Sequence, residues 1–365
     1  MKDKIKKIII FIYCIVIAFS LTSCDNKTPG LQSQPWNSEG VSETSSVEKV
    51  SSEKEDPSGK GDLWADRKLT VGYIGPGADE LIYTFVNNLN KVSEEWNIEL
   101  KYYDGQGKDE LQKKYLLELI EQDVDIIGVT VSFESGWDKV LKKAKDSDIP
   151  IILIDKFIDS TDESLWAARI VPDNHKEGKM AGEWLINYLE QTKQLDNQIN
   201  IVEIAGLKGA YTADERGQGF REAIEGYENL EIIKSIDGSF NNSGGYEIVK
   251  TLYATQNDID ILFIHNDHMT LGAIAALEEF GIIPGKDVIL INIESRRDIL
   301  EAIVDGKIAC SVECNPLMGD LFMEACVRLA NGEEIEREIH PVDRVFDITN
   351  AQVELDAREE NGYGY

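Results

Sequence analysis

From Lys68 onward, short apolar runs alternate with longer stretches in which apolar residues recur at helical spacing. The runs are Leu69–Ile74, Ile98–Tyr102, Ile126–Val131, Ile151–Ile154, Ile201–Ile204, Ile232–Ile236, Ile261–Ile264, Val288–Ile293 and Ile308–Val312. They are brief and rich in β-branched residues, the pattern of strands buried on both faces. Between them Lys108–Gln122, Gly136–Ala144, Lys176–Leu189 and His268–Phe280 read as helices. Such alternation means βαβ units and parallel sheets. Roughly nine strands over this length suit two sheets of about five better than one. An α/β fold of two similar lobes is expected, because 365 residues exceed what a single core usually holds.

In open parallel sheets, ligands bind beyond the carboxyl ends of the strands. Asp155 and Lys156 follow the run Ile151–Ile154. His265, Asn266 and Asp267 follow Ile261–Ile264, and Glu294 follows Val288–Ile293. A helix start near Ala213–Gly217 adds Asp214, Glu215 and Arg216. Together these groups suit a polyol: carboxylates accept from hydroxyls, amides both accept and donate, and Arg and Lys donate. A plainer reading stands beside this one. Asp267 would cap the helix that follows it, and Arg216 alone would form a surface salt bridge. Trp137, at a helix start, is expected in the core.

The charge narrows the partners. With 67 acidic and 37 basic residues and a formal charge of −30, the surface repels nucleic acid, whose non-specific binding needs cationic contacts. It also disfavours adsorption to anionic lipid. Nothing in the Cys and His spacing suggests a metal site, and Gly75-Pro76-Gly77 lacks the dinucleotide-binding spacing. Neither metal nor cofactor is expected. Cys310 and Cys314 lie in one extended run, where four residues span roughly 13 Å, beyond the ~7 Å Cα separation of a disulfide.

The first residues carry a separate signal. Lys2, Lys4, Lys6 and Lys7 precede the apolar run Ile8–Leu21, which is shorter than the roughly 20 residues of a membrane span and suits a signal-peptide core. It ends in Leu21-Thr22-Ser23-Cys24, which resembles the lipobox of bacterial lipoproteins. That resemblance implies removal of residues 1–23 and lipid attachment at Cys24. Residues 24–62 are polar, with almost no large apolar side chains, and read as a flexible tether.

Several segments of the body carry a wider resemblance. They include Asp104-Gly105-Gln106, Glu134-Ser135-Gly136-Trp137, the stretch Ala144–Asp155 and Pro172-Asp173-Asn174 with Glu177-Gly178. Gly209-Ala210 through Arg216 to Gly219-Phe220, His265-Asn266-Asp267 through Gly272-Ala273-Ile274, and Pro284-Gly285-Lys286-Asp287 continue the series. In this order they resemble the sugar-binding proteins of ABC importers, in the ribose and galactofuranose group. The resemblance runs from Leu69 to Tyr365 and implies the type I periplasmic-binding-protein-like fold: two lobes, each a parallel sheet flanked by helices, joined by three crossover strands. Residues 63–172 with 316–342 would form one lobe, and 173–315 with 343–365 the other.

By the same resemblance, sugar contacts fall on Asp155 and Lys156 of the first lobe and on Arg216, Asn266 and Glu294 of the second. The loop after the first strand would add Asp79, Glu80 and Tyr83. Galactofuranose-binding members carry Arg where Lys156 stands, Asp where Glu294 stands, and Trp-Arg where this chain has Ile82-Tyr83. Arg's planar fork is not reproduced by an ammonium, so the ligand class carries over as a monosaccharide and the individual sugar does not. The implied partners are that sugar, an ABC permease or alternatively a sensor kinase or chemoreceptor, and the membrane through lipid on Cys24. A monomer outside the cytoplasm is expected, and an enzyme is not. Repressors that share this fold carry a basic helix-turn-helix in front, and here that place is taken by the leader and tether.

Overall fold

The computed structural model describes residues 68–77, 80–255 and 258–363. The leader, Cys24, the tether, Asp79 and the side chain of Glu80 lie outside the described residues.

Strands β1 (Thr70–Gly75), β2 (Glu99–Asp104), β3 (Ile126–Val129), β4 (Ile151–Ile154) and β5 (Ala168–Ile170) alternate with helices α1 (Glu80–Glu95), α2 (Asp109–Glu121) and α3 (Asp138–Asp146). Next come α4 (Asn174–Gln191), β6 (Ile199–Ala205), α5 (Tyr211–Ile224), β7 (Leu230–Asp237), α6 (Asn242–Thr255) and β8 (Ile261–Ile264). They are followed by α7 (Asp267–Glu279), β9 (Ile289–Glu294), α8 (Arg297–Val304) and β10 (Cys310–Glu313). The chain ends through α9 (Gly319–Ala330), β11 (Glu338–Ile339), β12 (Val345–Asp347) and α10 (Ala351–Asn361).

Two six-stranded sheets result, ordered β11-β5-β4-β3-β1-β2 and β12-β10-β9-β8-β6-β7. Their pairings are parallel except for β10 with β12. Both are α/β sheets of the doubly wound kind, and in each the strand order reverses beside the first strand, β1 in one and β6 in the other. The runs read from sequence omit β11 and β12. These have only two and three residues, too few for a periodic pattern to register.

The apolar runs are buried because helices cover both faces of each sheet. Val71, Tyr73, Ile126 and Ile152 pack on one face of the first sheet with Phe322 and Met323 of α9. Ile74, Ile127, Val129 and Ile151 pack on the other with Leu116, Leu119, Leu141 and Trp137. Trp137 is fully buried and donates Nε1–H to the Phe133 carbonyl at 2.8 Å. A separate core joins Val202, Ile204, Leu262, Ile264 and Leu290 of the second sheet to α6, α7 and α8.

Three passages carry the chain between the sheets: after β5, after β10, and between β11 and β12. They are tied to one another. Val171 N–H donates to Ile339 O at 3.0 Å, Asn315 N–H to Asp343 Oδ1 at 2.9 Å, and Glu313 N–H to Arg344 O at 2.7 Å. Cys310, Cys314 and Cys326 are free thiols.

Candidate functional site

A cleft of about 770 Å³ opens at the carboxyl ends of β1 to β4 and reaches the first two passages. Asp104, Gln106, Ser132, Asp155, Lys156 and Asn315 give it polar groups, and Ile82, Phe85, Phe133 and Met318 apolar ones. One buried amide organises these loops. Gln112 Nε2 donates to Gly75 O at 2.9 Å and to Thr130 O at 2.7 Å, while its Oε1 accepts from Ser132 N–H at 2.8 Å. Ser132 Oγ in turn donates to Pro76 O at 2.9 Å. Gly77 has φ +146, and a Cβ there would meet Gly107 N at 2.8 Å. Only glycine fits both demands.

The second sheet presents a denser charged set at the carboxyl ends of β8 and β9. Arg216 is 2% exposed. Its Nε donates to Glu177 Oε2 at 2.7 Å, its Nη1 to His265 O at 2.6 Å, and Nη1 stands 3.5 Å from Glu294 Oε1. Burial works against the guanidinium charge, but Glu177 and Glu294 outweigh it and hold Arg216 more firmly protonated than usual. Burial raises the pKa of Glu177, against the pull of Arg216. Glu294 is raised by burial, again opposed by Arg216. Its neighbour Asp267 is raised by burial and by the Glu294 carboxylate.

This geometry depends on a close helix crossing. Gly178 of α4 lies where a Cβ would meet Arg216 O at 1.9 Å, and Gly219 of α5 where one would meet His175 O at 1.9 Å. Two glycines let α4 and α5 approach backbone to backbone, which brings Glu177 and Arg216 together.

Of the residues expected from sequence, Asp155 and Lys156 line the cleft, and Arg216 and Glu294 face each other on the second sheet. Ile82 lines the cleft, whereas Tyr83 is 59% exposed. Asn266 is 4% exposed and is the N-cap of α7: its Oδ1 accepts from Met269 N–H at 3.0 Å, and its Nδ2 donates to Phe240 O at 3.3 Å. Two expectations need correction. Asp267 is not the cap of its own helix, because Asn266 occupies that position; its carboxylate turns instead to the backbone after β9, at Ser295 and Arg296. Arg216 is not in a surface salt bridge but in a buried one.

Sequence reasoning gave no site role to Glu177, Gln112, Asp104, Gln106 or Asn315, although Asp104, Gln106 and Glu177 lie in segments that carry the resemblance. Asp104 ends β2, so the strand-end rule that found Asp155 applies to it equally. Glu177 and Gln112 lie inside helices, where no local pattern separates a buried polar anchor from a solvated one. Among the described residues, no group of three His, Cys, Asp or Glu side chains is placed to hold a metal ion.

The sequence model of the periplasmic binding protein domain matches residues 71–334. The chain belongs to that family. Membership places it outside the cytoplasm among solute-binding proteins. The galactofuranose-binding protein YtfQ of Escherichia coli strain K12 is 35% identical over 301 residues, 81% of this chain and 93% of that protein. A solved structure from Mycobacterium smegmatis in complex with β-D-fucofuranose is 33% identical, with a TM-score of 0.67 over 80% of this chain and 96% of the other. The binding-protein component of the arabinose ABC transporter of Shewanella sp. ANA-3, bound to α- and β-L-arabinofuranose, is 31% identical, with a TM-score of 0.68 over 80% and 97%.

Proposed function

We propose that this chain captures a monosaccharide between its two sheets and delivers it to an ABC importer, held to the membrane by lipid on Cys24 and acting as a monomer. The observation that carries this reading is the pair of polar sets at the strand carboxyl ends: Asp155 and Lys156 at the cleft on one sheet, Arg216 with Glu294 on the other. Carboxylates, an ammonium and a guanidinium in a partly dehydrated cleft make charge-assisted hydrogen bonds to hydroxyls. The sugars named for the relatives, galactofuranose, fucofuranose and arabinofuranose, define the first compounds to try. Closure on the ligand follows when both sets touch the same molecule, since only the closed form gains both sets of contacts. Lys156, a point-charge ammonium without the planar fork of Arg, sets which sugar is preferred.

The test is a thermal-shift panel on the full chain in detergent with D-galactose, D-fucose, L-arabinose, D-ribose and D-fructose. At 100-fold excess over Kd, one binder adds about 2.7 kcal/mol to stability, which a melting curve resolves. A chain whose melting temperature no sugar moves would overturn the reading. Aryl glycosides incubated with the same preparation are expected to remain intact. Mass spectrometry of the chain expressed in bacteria is expected to find the N-terminus at Cys24 with acyl chains attached.

A further inference from the structure

The backbone leaving β9 is bent in a way its side chains resist. Glu294 has φ +113 and Ser295 φ +74, and neither is glycine. Such conformations persist only where the surroundings over-determine them. Here the surroundings do so from two directions. Asp267, fully buried, accepts from Ser295 N–H at 3.1 Å and from Arg296 N–H at 2.7 Å. Asn292 Nδ2 holds that carboxylate at 2.6 Å. From the opposite side Arg358 of α10, 2% exposed, donates Nη1–H to Ser295 O at 2.8 Å. Arg358 is itself fixed by Glu354 at 2.8 Å and Glu313 at 3.3 Å, and Glu313 is the register partner of Glu294 across β9 and β10.

Every polar group of the Ser295 peptide unit is therefore engaged by a buried side chain from a distant element. The residue whose direction this fixes is Glu294, which faces Arg216. We infer that Arg358 and Asp267 are positioning residues: they hold the bent segment 294–296 so that the Glu294 carboxylate meets the sugar, making the C-terminal helix part of the binding machinery. Neither touches the sugar. This inference rests on the proposed role of Glu294 in sugar binding.

A double-mutant cycle on the full chain tests it, with Kd measured by calorimetry for whichever sugar of the panel binds the wild type. Arg358→Gln and Asp267→Asn are each expected to weaken binding about tenfold or more, the loss of one charge-assisted hydrogen bond, with Arg358→Lys recovering part of it. In a Glu294→Ala background the same substitutions are expected to change Kd less than twofold, because a positioning residue acts only through the group it positions. Equal losses in both backgrounds mean a general structural role and overturn the inference. Hydrogen exchange needs no ligand and separates this outcome from failure of the sugar reading. Arg358→Gln is expected to speed exchange at the Ser295 and Arg296 amides while β6 and β8 keep their protection. Unchanged exchange there also overturns the inference.

Discussion

Arg216 reaches from α5 to Glu177 on α4 with a 2.7 Å charge-assisted bond, and both side chains are sealed from water, at 2% and 0% exposure. Removing Arg216 leaves the Glu177 carboxylate buried without its cation, which costs about 3–5 kcal/mol; removing Glu177 leaves Arg216 to the more distant Glu294 carboxylate, 3.5 Å away. Arg216→Ala is therefore expected to lose stability together with any sugar binding. Urea unfolding checks it: Arg216→Ala and Glu177→Ala each fall sharply, and Arg216→Met combined with Glu177→Leu recovers most of the loss, since apolar replacement of a buried pair is often neutral. A double variant as unstable as the singles would refute the pairing account.

The glycines at the same crossing permit a sharper test. A Cβ on Gly178 or Gly219 would lie 1.9 Å from a backbone oxygen of the facing helix. Backbone cannot step aside as a side chain can, so α4 and α5 must separate. Gly178→Ala and Gly219→Ala are each expected to lower the melting temperature by several degrees, the effect of roughly 1–3 kcal/mol of overpacking. Gly226, where a Cβ would have open space but φ is +92, provides a comparison in which only backbone strain acts.

Both sheets were legible in the sequence because β-branched runs at their cores leave little room for another reading. Ile151–Ile154 and Ile261–Ile264 are strands over the residues the pattern marks. The strand-end rule then delivered Asp155, Lys156 and Glu294 without knowledge of contacts. It could not tell that Asn266 spends both ends of its amide on the helix cap and on Phe240, because a cap and a ligand residue occupy the same place at a strand end. Nor could it place Glu177 or Arg358. A carboxylate or guanidinium at the inner face of a helix differs from an outer one only by what lies across from it, and those partners stand 39 and 63 residues away.

The passages between the sheets carry a titratable group. Asp343 is 6% exposed. Burial, reinforced by the charges of Glu177 and Glu313 and opposed by the Asn315 N–H bond and, less, by Lys176, pushes its carboxyl up to about 7. An unfolded chain releases that proton near the ordinary value of 3.8. Between these limits the folded form holds more protons than the unfolded, so this group makes stability fall as pH rises from about 4 to 7. Asp343→Asn keeps the oxygen that accepts from Asn315 N–H and removes the charge. Its expected effect is a melting temperature higher than wild type at pH 8, the two curves converging toward pH 4. A variant less stable than wild type at pH 8 would rule this out.

Gln112 joins the cleft's loops to the first sheet through a single side chain. Its amide satisfies two carbonyls, Gly75 O and Thr130 O, and one N–H, of Ser132. Thr130 and Ser132 both line the cleft. Gln112→Leu preserves much of the volume and strips Thr130 O and Ser132 N–H of this partner, of which the Ser132 N–H is the harder to satisfy otherwise, while Gly75 O keeps its bond from Gly105 N–H at 3.0 Å. The expected cost is about 1–3 kcal/mol in urea unfolding. The loss is expected to be local as well: hydrogen exchange at Ser132 quickens, while amides in β4 keep their protection. Gln112→Glu distinguishes hydrogen bonding from packing. It retains the acceptor for Ser132 N–H and turns a second oxygen toward two carbonyls, so at neutral pH it should be no more stable than Gln112→Leu despite its closer shape. If Gln112→Glu instead behaves as wild type at neutral pH, the two donated bonds do not hold the cleft loops together.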